Sequence, residues 1–184
     1  LVEPGVPDPF AGLLRRYGLE LPDDLVLDPV RSFFGDIATP LVDRYTFHQI
    51  TKDLTGLTTL FPMARSISIT QTLPEGWNVQ FLAQSSQDSW AETSYREKQV
   101  RPDAHEARGP LGLAAVVEPS QTATGKGRLV TIGSANLCSN DLLNQVRGSV
   151  GNLDHFMNAI NWLAEEEALI SIRPREMTTR QVTL

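Results

Sequence analysis

Two groups of polar residues follow predicted strands and could contact a ligand. One comes after an apolar strand at 129–133, and the other, which includes a tryptophan, comes after an alternating strand at 79–84. Ligands of open α/β sheets collect beyond the carboxyl ends of strands, so these groups predict a small-ligand site, for example for a saccharide. The candidate ligand-binding residues are Ser85, Ser86, Trp90, Ser134, Asn136, Asn140 and Asn152. Serine and asparagine also cap helices and close turns, and tryptophan is often a core residue, so a purely structural role is the competing interpretation.

Ser134 is the residue that could act as a nucleophile, because it directly follows Gly133 at the end of a predicted strand. A nucleophile elbow requires Gly-x-Ser-x-Gly, whereas Asn136 stands where the second glycine belongs. Asp154 and His155 could complete a triad only if both faced the serine, and adjacent residues of one helix point about 100° apart. We therefore expect no catalytic residues, and a hydrolase is the second alternative.

Cofactor and metal motifs are incomplete. The triplet Gly125-Lys126-Gly127 lacks the upstream glycine and the following Ser/Thr of a P-loop, and Val130 stands where a dinucleotide fingerprint needs its third small residue. The three histidines are scattered, and Cys138 is the single cysteine, so neither a zinc cluster nor an intrachain disulfide can form. We expect no cofactor and no metal.

The composition narrows the possible partners. The 184 residues carry a net charge of −6 and 41% hydrophobic residues, which is typical of a globular domain. There is no basic stripe, so nucleic acid is not expected as a partner, and no apolar run approaches the roughly 18–20 residues of a membrane-spanning helix. The chain starts at Leu1 without an initiator methionine or a signal-peptide pattern, and we expect it to be one soluble domain, 1–184, cut from a longer protein.

Hydrophobic periodicity predicts interspersed helices and strands, and hence an α/β or α+β fold. Asp8-Pro9 opens a helix that Gly18 ends, and the apolar stripe from Leu153 to Leu163 predicts a second helix capped by Asn152. Phe156, Ile160 and Leu163 of that stripe are expected to pack on strand 129–132. Further strands are predicted at 1–3, 25–28, 60–70, 79–84 and 168–173, with a hairpin formed by 111–117 and 129–133.

One block of the sequence resembles a known family. Residues 127–136 read GRLVTIGSAN, Ser139-Asn140 follows, and residues 151–163 read GNLDHFMNAINWL. This pattern resembles the C-terminal half of the extracytoplasmic domain of GldG-like proteins, which are auxiliary subunits of ABC transporters named for gliding motility; some intraflagellar-transport proteins share a related domain. Four other segments of the chain also resemble motifs of this family. They are residues 13–18 followed by Val26-Leu27-Asp28, Pro40 followed by His48 and Ile50-Thr51, the run Ser89-Trp90-Ala91-Glu92, and the pair Arg173-Pro174. Ser134-Ala135-Asn136 departs from the family's frequent Asp-Ser-Asp.

The resemblance implies a flavodoxin-like or glutamine-amidotransferase-like layered sheet without catalytic residues, here lacking its first strands. It also implies a periplasmic domain tethered to the bacterial inner membrane in the full-length protein, which works with the membrane and ATPase subunits of an ABC transport system. The fragment itself is not expected to insert into the membrane. An exposed sheet edge near Leu1-Val2-Glu3 would allow a homodimer. The alternatives are the small-ligand module and the hydrolase.

Overall fold

The computed structural model describes residues 4–97, 100–123, 127–146 and 150–165, which form a mixed α/β fold rich in short strands. The mixed α/β class predicted from the sequence is therefore confirmed. The helices are α1 (Ala11–Arg16), α2 (Asn140–Val146) and α3 (Asn152–Leu163), with a 3-10 helix at Ala135–Cys138. The strands are β1 (Leu19–Glu20), β2 (Leu25–Leu27), β3 (Ser32–Phe33), β4 (Asp36–Val42), β5 (Thr59–Leu60), β6 (Ser68–Ile69), β7 (Trp77–Gln84), β8 (Trp90–Glu92), β9 (Gly112–Pro119) and β10 (Leu129–Ile132).

The longest strands form a sheet in the order β10-β9-β7. Both outer strands run antiparallel to β9, with Thr131 opposite Ala115 on one side and Val79 opposite Val117 on the other. The predicted hairpin and the predicted strand at 79–84 are thus confirmed. Because β7 and β10 run in the same direction, the chain leaves both of them at the same end of the sheet.

Helices cover both faces of this sheet. On one face, Leu14 and Tyr17 of the α1 region pack with Ala115, Val117 and alternating residues of β7. On the opposite face, Ala159 and Trp162 of α3 join the main core. The alternation of side chains along each strand explains this division, since neighbouring residues of a strand point to opposite faces. The predicted first helix is confirmed, and Gly18 follows it with a φ of +81°, a backbone conformation that favours glycine.

The strand predicted over 60–70 is wrong for most of its length. In this stretch only Thr59–Leu60 and Ser68–Ile69 are strands, in two different sheets. Between them the main-chain N–H groups of Met63, Arg65 and Ile67 donate to three separate segments, and Met63 has a φ of +50°. The chain crosses here from one sheet to another, and burial does not alternate, because the four residues 64–67 are all buried.

The predicted last helix is confirmed, but its orientation differs from the prediction. Its buried face carries Asn152, His155, Asn158, Ala159 and Trp162. Ile160 and Leu163 lie on the exposed side, so the prediction that they pack on β10 is wrong; Phe156 is partly buried against the core. The polar side chains can occupy the inner face because two of them bond to main-chain groups of other elements.

Several predictions fall outside the described residues: the strand at 1–3, the center of the turn at 125–126 and the strand at 168–173. None of the helices that the structure describes combines the length and the apolar character needed to span a bilayer.

Candidate functional site

The serines that follow β7 bond to neighbouring segments. Ser86 donates from its main-chain N–H and its Oγ to the carboxylate of Asp28, at 2.8 and 2.7 Å. Ser85 Oγ accepts a hydrogen bond from the main-chain N–H of Leu111 at 2.9 Å and lies 2.7 Å from Ser89 Oγ. The fully buried Asp28 also accepts from two main-chain N–H groups of the following turn. These contacts fix the loop after β7 to the end of β2.

Trp90 lies in a small core with Leu25 and Leu27, which is the structural interpretation that competed with a stacking role. Its indole N–H donates to Oε2 of Glu92 at 3.2 Å, and Oε1 of the same carboxylate accepts from the main-chain N–H of Ser94 at 2.8 Å. The Ser-Trp-x-Glu motif therefore builds a buried polar contact around β8.

Asn152 does not cap α3, so that prediction is wrong. It is the first residue of the helix, the N-cap is Gly151, and no side chain caps this end. The Asn152 side chain instead accepts from the Leu60 N–H at 2.9 Å and donates to the Leu60 and Leu137 carbonyls, both at 2.8 Å. A side-chain amide thus pairs with the outer edge of β5 as a neighbouring strand would, because its donor and acceptor match those of the peptide group.

The other candidates after β10 divide into buried and exposed residues. Ser134 is fully buried, and its Oγ donates to the Pro62 carbonyl at 2.5 Å. Asn136 is half-buried and accepts the Ser139 N–H through its main-chain carbonyl, whereas Asn140 is exposed at the start of α2. Ser139, rather than a predicted residue, bonds the main chain of α2 through its Oγ, to the Leu142 N–H at 3.2 Å.

The two predicted groups lie at the same end of the central sheet, as expected, but β9 separates β7 from β10. Most of their polar atoms bond to the protein itself. Four surface cavities of 160–330 Å³ are lined by other residues. A ligand role for the seven candidates stays a prediction.

The largest of the four cavities is a cleft of about 330 Å³ between the end of β4 and the turn at 51–55. Its charged lining residues are Asp43, Arg44 and Lys52, and Phe47 is 82% exposed beside them. Tyr45 forms its wall, with the hydroxyl 2.8 Å from Thr59 Oγ1, and burial raises the pKa of this phenol. A cleft with two cations and an exposed ring can hold a small anionic or aromatic group.

His155 is a buried titratable side chain to which the sequence analysis gave no structural role. It lies on the inner face of α3 with its ring centroid 6.0 Å from those of Tyr45 and Phe61. Neither ring nitrogen has a hydrogen-bond partner in the described part of the chain. Burial lowers the pKa of His155 to about 4. The ring is therefore neutral at pH 7 and acts as an aromatic core residue.

Arg65 and Asp24 form a buried polar cluster that the sequence did not indicate. The Arg65 guanidinium donates to the carbonyls of Leu21 and Pro22, both at 2.7 Å, and Asp24 accepts from Ser66 Oγ at 2.6 Å. Burial raises the pKa of Asp24. All these partners lie about 43 residues apart in the chain, so no local pattern could have indicated them.

The described residues contain no group of three histidine, cysteine, aspartate or glutamate side chains placed to hold a metal ion. Cys138 is a partly buried free thiol whose pKa is raised to about 11 by burial. A thiol with this pKa is protonated at neutral pH and is a poor nucleophile.

Comparison with known proteins gives a likeness of fold. No protein-family model matches the chain, and no curated protein matches it. Among solved structures, the mmIFT52 N-terminal domain is similar, with a TM-score of 0.56 and 17% sequence identity. The alignment covers 84% of this chain and 57% of that structure, so the chain spans little more than half of the domain that it resembles.

Proposed function

We propose that the chain is a non-enzymatic auxiliary or substrate-binding-type domain of a bacterial ABC transport system, similar to GldG-like proteins and located on the periplasmic side of the inner membrane. The observation that carries this proposal is the position of the motif residues that resemble the family. Asp28, Trp90, Glu92 and Asn152 are all buried. Their side chains bond to other parts of the protein, so the shared motif specifies a fold.

The similar solved structure bears on the fold alone. The family that the sequence resembles shares a related domain with some intraflagellar-transport proteins, and the structure with a TM-score of 0.56 is an IFT52 N-terminal domain. A flavodoxin-like or glutamine-amidotransferase-like arrangement belongs to the proposal. The helices on both faces of the sheet are in line with it, whereas β7 and β10 each pair antiparallel with β9.

An auxiliary domain acts through contacts with its partner subunits, and this chain has apolar surface to offer. Phe34 is 95% exposed and Phe47 is 82% exposed. The outer side of α3 adds Leu153, Ile160 and Leu163. Isolated exposed apolar residues are common, but a helix whose apolar stripe faces outward is typical of a protein that binds another protein.

The test uses the full-length protein in its own membrane. We expect it to co-purify with the membrane and ATPase subunits encoded beside it, and to change their ATP hydrolysis rate. Ile160→Ser with Leu163→Ser should weaken co-purification, whereas the matched change Leu73→Ser on an exposed turn should not. A full-length protein that is cytosolic, or that leaves ATP hydrolysis unchanged and fails to associate, would contradict the proposal.

The cleft beside Tyr45 favours a small-ligand module as the second candidate. Arg44, Lys52 and Phe47 could bind a small anionic ligand there. A thermal-shift screen of sugar phosphates and uncharged sugars, repeated with Lys52→Ala, tests this role without disturbing a buried residue. A ligand-induced rise in Tm that Lys52→Ala removes would favour the module, and the absence of any rise would reject it.

A further inference from the structure

A second cleft, of about 240 Å³, lies between α1 and β10, the outermost strand of the sheet among the described residues. Its walls are mainly apolar side chains: Phe10, Leu13, Leu14, Leu129 and Val130. Asp8 and Thr131 also line it. An apolar cleft with a few polar groups is the usual composition of a small-molecule site.

Among the residues that the structure describes, each of these two polar residues has one oxygen without a hydrogen-bond partner. Asp8 Oδ1 accepts from the Phe10 N–H at 2.8 Å, but its Oδ2 is buried and unpaired. Thr131 is 6% exposed, and its Oγ1 is also buried and unpaired. Leaving a buried polar atom unpaired is unfavourable, and more so for a charged group. Two residues that line one cleft therefore each carry a buried oxygen with which a bound group could pair.

We propose that this cleft binds a small molecule with a compact apolar body and one primary ammonium group. The ammonium would donate to Asp8 Oδ2 and to Thr131 Oγ1, and the apolar body would contact the leucine side chains. The proposal is independent of the proposed transport role, because it uses none of the side chains whose buried contacts carry that role.

The chemistry of the two oxygens determines the ligand class. The unpaired carboxylate oxygen can only accept hydrogen bonds, and a hydroxyl can accept one as well. A charge-assisted bond from an ammonium to a carboxylate is about twice as strong as a neutral one. The volume sets the size, since an apolar cavity of about 150 Å³ already holds benzene. A single ring with a short amine fits these limits.

Three probes that share a benzyl skeleton test the proposal: benzylamine, benzyl alcohol and toluene. Titration of the isotope-labelled protein at pH 7 should shift the amide resonances of Leu14, Val130 and Thr131 saturably with benzylamine, with a Kd in the range of about 1 mM. Benzyl alcohol should bind at least three-fold more weakly, and toluene more weakly still.

Two conservative variants identify the site. Asp8→Asn keeps the acceptor for the Phe10 N–H but removes the charge, and it should weaken benzylamine at least ten-fold while changing benzyl alcohol less. Thr131→Val keeps the shape of the side chain and should weaken both probes. Asp53→Asn makes the same change of charge at an exposed position away from the cleft and should leave both affinities unchanged.

Three outcomes would overturn the proposal. The first is an absence of saturable shifts with any probe up to about 10 mM. The second is benzylamine binding that Asp8→Asn and Thr131→Val leave unchanged although both variants are folded. The third is an ordered water bonded to both oxygens that benzylamine does not displace, which would make water the natural occupant.

Discussion

Replacement of Asn152 by alanine separates the two roles that this residue could have. A helix cap would lose about 1 kcal/mol on substitution. In the structure, Asn152 makes three hydrogen bonds, two to Leu60 and one to Leu137. Each bond contributes about 1 kcal/mol, and a buried group left without its partner costs about 1–3 kcal/mol. We therefore expect Asn152→Ala to lower the free energy of unfolding by about 3–5 kcal/mol.

Urea denaturation followed by circular dichroism measures this loss. Asn140→Ala is the matched control, because Asn140 is the exposed first residue of another helix, and we expect it to change the free energy of unfolding by less than about 0.5 kcal/mol. Asn152→Asp makes the test sharper. The aspartate keeps one acceptor for the Leu60 N–H but places negative charge against two carbonyls, so it should destabilise at least as much as alanine.

A loss of about 1 kcal/mol for Asn152→Ala would refute the reasoning, since it would equal the value for a simple cap. A stable Asn152→Asp variant would refute it as well, because the two donated hydrogen bonds could not then be essential. If Asn152→Ala does not fold at all, Asn152→Gln still provides a measurement, because it keeps the amide but moves it by one methylene. We expect Asn152→Gln to lose less stability than alanine does.

Three further predictions concern the interior. The folded-state pKa of His155 lies near 4, below its ordinary value of 6.5. The free energy of unfolding should therefore fall by up to roughly 3 kcal/mol as the pH decreases from 6.5 to 4. Urea denaturation midpoints should show this decline in the wild type and a smaller decline in His155→Leu. Cys138, with its pKa near 11, should react with iodoacetamide at pH 8 at least ten-fold more slowly in the native protein than in urea; equal rates would contradict its burial. Gly133→Ala should destabilise strongly in a thermal melt, because an added Cβ would overlap the Arg65 carbonyl oxygen, and an unchanged Tm would contradict this close approach.

The sequence predicts well those elements that local periodicity defines. Strand β7, the β9–β10 hairpin, α1 and the extent of α3 follow from alternation or from a helical stripe with stop signals nearby. The short strands β3, β5 and β8 could not be predicted in this way. Each exists through pairing with a segment distant in sequence or through an irregular register, as when Leu27 pairs with Trp90.

The candidate site illustrates the same limit. Asn152 stands out in the sequence as a polar residue before an apolar stripe, but its partner Leu60 lies 92 positions away and decides its role. The cleft residues Asp8 and Thr131 carry weak signals: one resembles a helix start and the other a strand residue. Only the fold brings them to one cavity. A threonine in an otherwise apolar strand is the sequence signal that could have indicated this cleft.

The orientation of α3 connects these observations. A helix with one clean apolar stripe is expected to bury that stripe, yet α3 buries a face with two asparagines and a histidine and leaves Ile160 and Leu163 outside. The asparagines can be buried because Asn152 pairs with Leu60 and Asn158 donates to the Ile50 carbonyl at 3.0 Å. The motif around residue 152 therefore fixes how the helix docks, and Leu153, Ile160 and Leu163 of the apolar stripe are left exposed. For that reason the surface variants Ile160→Ser and Leu163→Ser test function, whereas changes in the motif mainly test folding.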